Sequence, residues 1–176
     1  MSKVIRLVKK VKMPEKKTQV MIADDHQIIR DGLRILINRQ KDMEVAGEAE
    51  TGREAVQLAR ELRPDVIIMD VTMPELSGID ATRLIMAGGE KIKIIGLSMH
   101  SDRSFILGML MSGACGYLLK DCAFDELADA IRQVMKNNIY LSSGIPDSVA
   151  RDVVKQKGCC NRACPGGTAE TEPRDA

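Results

Sequence analysis

The sequence predicts a doubly wound α/β domain over residues 19–137, with five parallel strands in one sheet and helices on both faces. Short apolar runs of strand length alternate with stretches whose apolar residues recur at helical spacing. Most of the runs are apolar throughout, as expected of strands buried on both faces. The segments between them are long enough for the right-handed crossovers that join parallel strands.

The first half of this domain contains two strand–helix units. Gln19–Ala23 is a short apolar run that ends in two aspartates, and apolar residues then recur at helical spacing over Ile28–Ile37. Met43–Ala49 contains a weaker strand pattern. Arg53–Leu62 is predicted to be a helix that Arg63-Pro64 ends, because the residue before a proline disfavours helical backbone angles.

The second half contains three more units. Val66–Met69 is a continuous apolar run of strand length, and the helix that follows around Ile79–Met86 ends at two glycines. Apolar runs of strand length and segments with helical spacing then alternate to the end of the domain. The remaining predicted elements, in chain order, are the strand Ile92–Leu97, the helix Asp102–Met111, the strand Tyr117–Leu119 and the helix Phe124–Met135.

Composition excludes several classes of protein. The chain has 176 residues, of which 44% are hydrophobic and 29% charged, as in a globular domain with extensions. We expect no membrane segment, because no apolar run approaches the roughly 18–20 residues of a membrane span. Without a secretory signal the chain is expected to be cytoplasmic. An odd number of cysteines argues against a disulfide framework, and Cys159, Cys160 and Cys164 lack the spacing of a closed zinc site.

Positive charge is concentrated at the N-terminus. Residues 1–18 carry seven lysines and arginines against one glutamate, a net +6, which leaves −5 for the rest of a chain whose total is +1. We expect this leader to be solvated and disordered, with contact to nucleic acid or anionic lipid as the alternative. Met13 is an alternative start, since the regular pattern begins just after it.

Polar side chains follow four of the five predicted strands. Asp24 and Asp25 follow the first strand, Asp70 the third, Ser98 the fourth and Lys120 the fifth. Each of these residues alone is more often a helix cap, a turn or a surface residue. Because the carboxyl ends of parallel strands meet at one edge of a sheet, we expect these side chains to lie close together.

That combination of side chains predicts phosphoryl chemistry. Clustered carboxylates raise one another's pKa values, and a divalent cation such as Mg²⁺ relieves the conflict. Asp70, central in the predicted sheet, is then the nucleophile that forms an acyl phosphate. Lys120 and Ser98 are suited to neutralise the phosphoryl oxygens or to hydrogen-bond them.

The same residues stand in longer motifs. Ala23-Asp24-Asp25-His26 contains the acidic pair, Asp70 to Gly78 fits D-x-x-M-P-x-x-x-G, and Gly96-Leu97-Ser98 ends in a hydroxyl. With Gly113–Asp121 (GACGYLLKD), the chain resembles the response-regulator receiver domains, the family that includes CheY, and its NarL/FixJ subfamily. The resemblance covers residues 19–137 and implies a flavodoxin-like sheet with strand order 2-1-3-4-5.

The resemblance also implies a role for each site residue. Asp70 would accept a phosphoryl group from a sensor histidine kinase, and Mg²⁺ would be held by Asp24, Asp25, Asp70 and the backbone carbonyl of Thr72. His26 is expected to start a helix beside the acidic pair rather than to act as a catalytic acid.

A second set of residues would bind the phosphate and report its presence. Lys120 and Ser98 are the expected phosphate ligands, and Ser98 and Tyr117 form the expected switch, in which the hydroxyl moves toward the phosphate and the ring turns inward. The domain is then a switch rather than an enzyme, and phosphorylation is expected to favour a homodimer.

The C-terminal region departs from the NarL/FixJ pattern. Residues 138–157 resemble the linker, with a helix at Ile145–Gln156, and residues 158–176 are expected to be disordered. Full-length relatives bind DNA and regulate transcription, but no recognition helix follows here, so DNA binding is not expected of this chain. Read one base later, the codons of residues 161–176 permit the first helix of such a domain, which suggests a frameshifted remnant.

Two other functions remain open from the sequence. The first is an acyl-phosphate phosphatase on a similar sheet, although those enzymes commonly carry D-x-D on the first strand, where this chain has Asp24-Asp25. The second is a degenerate receiver that binds partners without phosphorylation, against which the intact set of acidic, hydroxyl and amine side chains argues.

Overall fold

A computed structural model describes residues 16–89 and 91–160, with side chains described up to residue 153. Most of the predicted leader and tail lies outside these residues. The strands are β1 Thr18–Ala23, β2 Met43–Ala49, β3 Val66–Asp70, β4 Lys93–Ser98, β5 Gly116–Leu119 and β6 Tyr140–Leu141. The helices are α1 Gln27–Arg39, α2 Gly52–Leu62, α3 Gly78–Ala87, α4 Arg103–Met111, α5 Lys120–Met135 and α6 Asp147–Cys160.

All strand pairs are parallel, and the sheet order is β2-β1-β3-β4-β5-β6. The predicted doubly wound fold and its order 2-1-3-4-5 are confirmed. The sheet has one strand more than the five predicted, because β6 pairs with β5 within the segment assigned to the linker. Two residues are too few to show a periodic pattern, so the sequence gives no sign of this strand.

Two helix boundaries differ from the prediction. Helix α5 begins at Lys120 rather than at Phe124, so the lysine that follows the fifth strand is also the first residue of a helix. Helix α6 continues to Cys160, past the predicted end at Gln156. One glycine inside a helix costs only about 1 kcal/mol, so Gly158 need not end it. None of the described helices is long and apolar enough to cross a membrane.

The core lies in two layers, one on each face of the sheet. Val20 and Ile22 of β1 pack on the side of α1 and α5, and Met21 and Ala23 pack on the other side. Successive strand side chains point to opposite faces, so a strand buried on both faces is apolar throughout. All five residues of β3, including Asp70, are buried.

Gly78 brings the start of α3 close to the end of β3. Its N–H donates to the backbone oxygen of Val71 at 2.9 Å, and Ser77 before it caps the helix by accepting from the Asp80 N–H at 3.2 Å. A Cβ on Gly78 would overlap the backbone oxygen of Asp70. The last residue of the D-x-x-M-P-x-x-x-G motif is therefore a glycine for a steric reason.

We predict that Gly78→Ala lowers the free energy of unfolding by about 2 kcal/mol, because a backbone oxygen cannot move aside as a side chain can. Urea unfolding followed by circular dichroism measures the effect. Gly108→Ala is the matched control, since the added Cβ lies 3.0 Å from the flexible end of Ile79. Equal stability of wild type and Gly78→Ala would contradict this account of the loop.

Candidate functional site

The ends of β1, β3 and β5 bring two carboxylates and one ammonium together. Asp24, Asp70 and Lys120 are all buried, with exposed fractions of 0%, 3% and 7%. The Lys120 Nζ lies 2.7 Å from Asp24 Oδ2 and 2.7 Å from Asp70 Oδ2. Lys120 reaches both because it starts α5 directly after β5, at the same edge of the sheet as the two aspartates.

Burial and charge act in opposite directions on this group. Burial raises the pKa of Asp70, and the neighbouring Asp24 charge adds to that rise, while the hydrogen bond from Lys120 opposes it. Burial lowers the pKa of Lys120, but its contacts with Asp24 and Asp70 outweigh burial, so the pKa lies above its usual value. The ammonium therefore stays charged at neutral pH and offsets the charge of both aspartates.

The site holds three carboxylates and, among the described residues, one ammonium. Asp24 Oδ1 accepts from the His26 backbone N–H at 2.8 Å, and Asp24 Oδ2 is buried 2.7 Å from the Lys120 ammonium. Donor atoms of Asp24, Asp25, His26 and Asp70 all lie within 4.8 Å of one another. A group of three carboxylates beside a single ammonium suits a hard divalent cation.

The exposed part of the site comes from two loops. Asp25 is exposed, and its Oδ1 lies 2.8 Å from the His26 Nδ1. His26 occupies the N-cap position of α1, as a helix-start residue should. Across the site, the Thr72 backbone N–H donates to Asp70 Oδ1 at 3.1 Å. Both oxygens of Asp70 thus have a donor, one from Thr72 and one from Lys120.

Ser98 and Tyr117 are buried beside the acidic group and are joined through His100. The Ser98 Oγ accepts from the His100 N–H at 3.0 Å, and the Tyr117 hydroxyl donates to the His100 backbone oxygen at 2.9 Å. The Tyr117 ring is already fully buried, and burial raises the pKa of its hydroxyl. The ring is therefore already turned inward in the described structure.

Arg30 is a site residue that the sequence analysis missed. It lies on the buried face of α1, three residues before Leu33, and is only 6% exposed. Its guanidinium donates to the Asp24 backbone oxygen at 2.7 Å and to Glu50 Oε1 at 2.5 Å. An arginine in register with the apolar face of an amphipathic helix could have revealed it, because a buried cation requires acceptors.

Comparison with known proteins identifies the family. Residues 20–132 match the response regulator receiver domain. The chain belongs to this family. The receiver domain accounts for most of the described residues, and its matched range agrees with the predicted 19–137.

Relatives of the receiver domain are transcriptional regulators by name. This chain is 35% identical over 138 residues to the transcriptional regulatory protein DegU of Brevibacillus brevis, and the match covers 78% of this chain and 58% of the relative. It is 44% identical over 120 residues to the uncharacterized transcriptional regulatory protein YxjL of Bacillus subtilis, covering 68% of this chain and 55% of the relative. The chain thus spans little more than half the length of these two relatives.

Solved structures agree with the fold. A two-component response regulator of the LuxR family from Aurantimonas sp. SI85-9A1 superposes with a TM-score of 0.71 at 33% identity, covering 81% of this chain and 99% of that one. The receiver domain of a putative response regulator NarL from Mycobacterium tuberculosis gives 0.68 at 28% identity, covering 70% and 99%. The NarL-type resemblance is confirmed.

We predict that Arg30→Met destabilises the receiver domain by about 1–3 kcal/mol, because it leaves the Asp24 backbone oxygen buried without its donor. Arg34→Met is the matched control, since Arg34 lies on the same helix in a partly exposed position and pairs with Asp31 and Glu48. Urea unfolding of both variants measures the difference. A loss no larger for Arg30→Met than for Arg34→Met would show that the buried contact contributes nothing.

Proposed function

We propose that this receiver domain accepts a phosphoryl group on Asp70 from a sensor histidine kinase and thereby switches conformation. The observation that carries the proposal is the Lys120 ammonium, held 2.7 Å from a carboxylate oxygen of both Asp70 and Asp24. A structural ion pair at a surface would need neither the burial nor the second aspartate.

Asp70 has the position and surroundings of an acceptor. One of its oxygens forms the new bond to phosphorus while the bond between phosphorus and the donor's imidazole nitrogen breaks. The electron pair of that bond goes to the nitrogen, and the imidazole, which carries a proton on its other nitrogen, leaves neutral. The hydrogen bond from Lys120 opposes the rise that burial causes in the pKa of Asp70, and the ammonium lies where charge accumulates on the phosphoryl oxygens. The reaction is stoichiometric, so the receiver domain is a switch rather than a turnover enzyme.

Mg²⁺ is the proposed cofactor. The residues present suit it, because Asp24, Asp25 and Asp70 supply clustered carboxylate oxygens beside the single ammonium of Lys120. The backbone carbonyl of Thr72 is proposed as a further ligand. When bound, Mg²⁺ supplies positive charge that offsets the phosphoryl oxygens and the acidic cluster.

Ser98 and Tyr117 are the proposed switch. A phosphoryl group on Asp70 adds a charge of about −1.5 to −2 and three acceptor oxygens at the end of β3. Ser98 ends the neighbouring β4, and its hydroxyl is the donor we assign to one of those oxygens. A shift of the Ser98 hydroxyl would reach Tyr117 through His100, whose backbone oxygen accepts from the Tyr117 hydroxyl.

The wider role follows from the relatives and is also a proposal. Their names describe transcriptional regulators, and this chain spans 58% and 55% of the length of the two described above. We propose DNA binding for the full-length relatives. A phosphorylation-favoured homodimer and a cytoplasmic location stay predictions.

We predict that acetyl phosphate and Mg²⁺ add one phosphoryl group to the wild type and none to Asp70→Asn, as measured by intact mass. Circular dichroism checks that the variant is folded, which its nearly unchanged shape favours. Asp129→Asn is the matched control, because Asp129 lies on α5 with a 76% exposed side chain. Full labelling of Asp70→Asn would overturn the assignment, and turnover of acetyl phosphate without labelling would favour a phosphatase.

A further inference from the structure

Helix α6 is docked on the receiver domain. Ile145 just before it and Val149 and Val153 within it recur every four residues and are 7%, 8% and 2% exposed. They belong to the same apolar layer as Ile106 and Met109 of α4, and α6 lies against α4. A linker that only spaced two domains would not bury an apolar stripe.

An ion pair joins the same two helices. Arg103, the first residue of α4, places its Nε 3.0 Å from Asp152 Oδ2 of α6. Both side chains are partly exposed, so the pair adds little affinity but fixes which turn of α6 meets the start of α4. The apolar stripe and the ion pair agree on one docked position.

The start of α4 is connected to the acidic site through His100. The His100 N–H donates to Ser98 Oγ, and its backbone oxygen accepts from Tyr117, as described above. The His100 ring stacks on the Phe105 ring of α4, with centroids 5.4 Å apart. A shift of the Ser98 hydroxyl therefore acts on His100 and, through it, on the first turn of α4.

The segment that precedes α6 is held in place by contacts with α5. Glu126 of α5 accepts from Ser142 Oγ at 2.9 Å, from the Ser143 N–H at 3.2 Å and from the Tyr140 hydroxyl at 3.2 Å. Burial raises the pKa of Glu126, but these hydrogen bonds outweigh it, and the pKa lies below its usual value. The segment before α6 is thus anchored independently of α4, so α6 can detach from α4 without β6 leaving the sheet.

We propose that α6 is the output element of this receiver domain, docked on α4 while Asp70 is unmodified and released when Asp70 carries a phosphoryl group. The proposal rests on the function proposed above. Movement of the Ser98 hydroxyl toward the phosphoryl oxygens pulls on the His100 N–H, displaces the start of α4 and moves Arg103 away from Asp152. Release exposes the Val149 and Val153 stripe.

Hydrogen exchange measured by mass spectrometry on the peptide covering residues 147–153 tests the release. The full chain is compared before and after labelling with acetyl phosphate and Mg²⁺, and intact mass reports the fraction of Asp70 labelled. We expect exchange in α6 to rise by about fivefold or more, within the usual range of coupling between sites, while exchange in Tyr140 and Leu141 stays unchanged. Full labelling of Asp70 with unchanged exchange in α6 would overturn the proposal.

Variants test docking without phosphorylation. Val153→Asp places a charge in the buried stripe and should raise exchange in α6 to the phosphorylated level, whereas Ser148→Asp, on an exposed position of the same helix, should not. Arg103→Glu and Asp152→Arg should each raise exchange, and the double variant should restore it. Wild-type exchange in Val153→Asp would overturn docking, and a double variant no better than the single ones would overturn the position of α6 that the ion pair sets.

Linkage gives a reciprocal test. If phosphorylation releases α6, then undocking α6 must favour the modified state by the same factor. Beryllofluoride with Mg²⁺, a reversible analogue of the phosphoryl group, should therefore bind Val153→Asp several-fold more tightly than Ser148→Asp. Equal affinity would contradict the coupling. A wild type that takes no label from acetyl phosphate would refute the proposed function and phosphate-driven release together, while the exchange of the variants would still decide docking.

Discussion

One buried ammonium shared by two buried carboxylates is the constraint on which the rest of the receiver domain depends. Asp24 and Asp70 lie at the ends of adjacent strands, and without Lys120 their charges would repel each other in a poorly solvated place. Such an arrangement costs stability, because desolvation of buried ions is seldom fully repaid by their attraction. The phosphoryl transfer that we propose would require both the anions and the cation at this edge of the sheet.

The fold and the main site residues could be predicted from sequence because both follow from continuous patterns. Buried parallel strands appear as uninterrupted apolar runs, and the residues after them must meet at one edge, which places Asp24, Asp70 and Lys120 together. Strand β6 and the early start of α5 could not be predicted, since two strand residues and one helical turn carry no periodic signal. The position of Arg30 on the apolar face of α1 indicates that it is buried, but the Asp24 backbone oxygen that it binds carries no signal in the sequence.

The same geometry explains how a local change in charge can act at a distance. Ser98, His100 and the first turn of α4 form a short series of direct contacts from the acidic site to the face that α6 covers. Each contact is individually weak, but a packed interface tends to hold one arrangement or another rather than to deform gradually. The interaction energy of a phosphoryl group, which carries a charge of about −1.5 to −2, is large compared with that of one exposed ion pair.

Calorimetric titration of Mg²⁺ into the wild type and Lys120→Met tests the central ion pair most directly. In the unmodified receiver domain the ammonium occupies the oxygens that a metal would use, so replacing it with a neutral side chain of similar length should tighten Mg²⁺ binding by about tenfold, the equivalent of about 1.4 kcal/mol. Asp24→Asn should weaken binding in the same assay. Equal or weaker Mg²⁺ binding by Lys120→Met would contradict the account, because the lysine would then not be competing for these carboxylates.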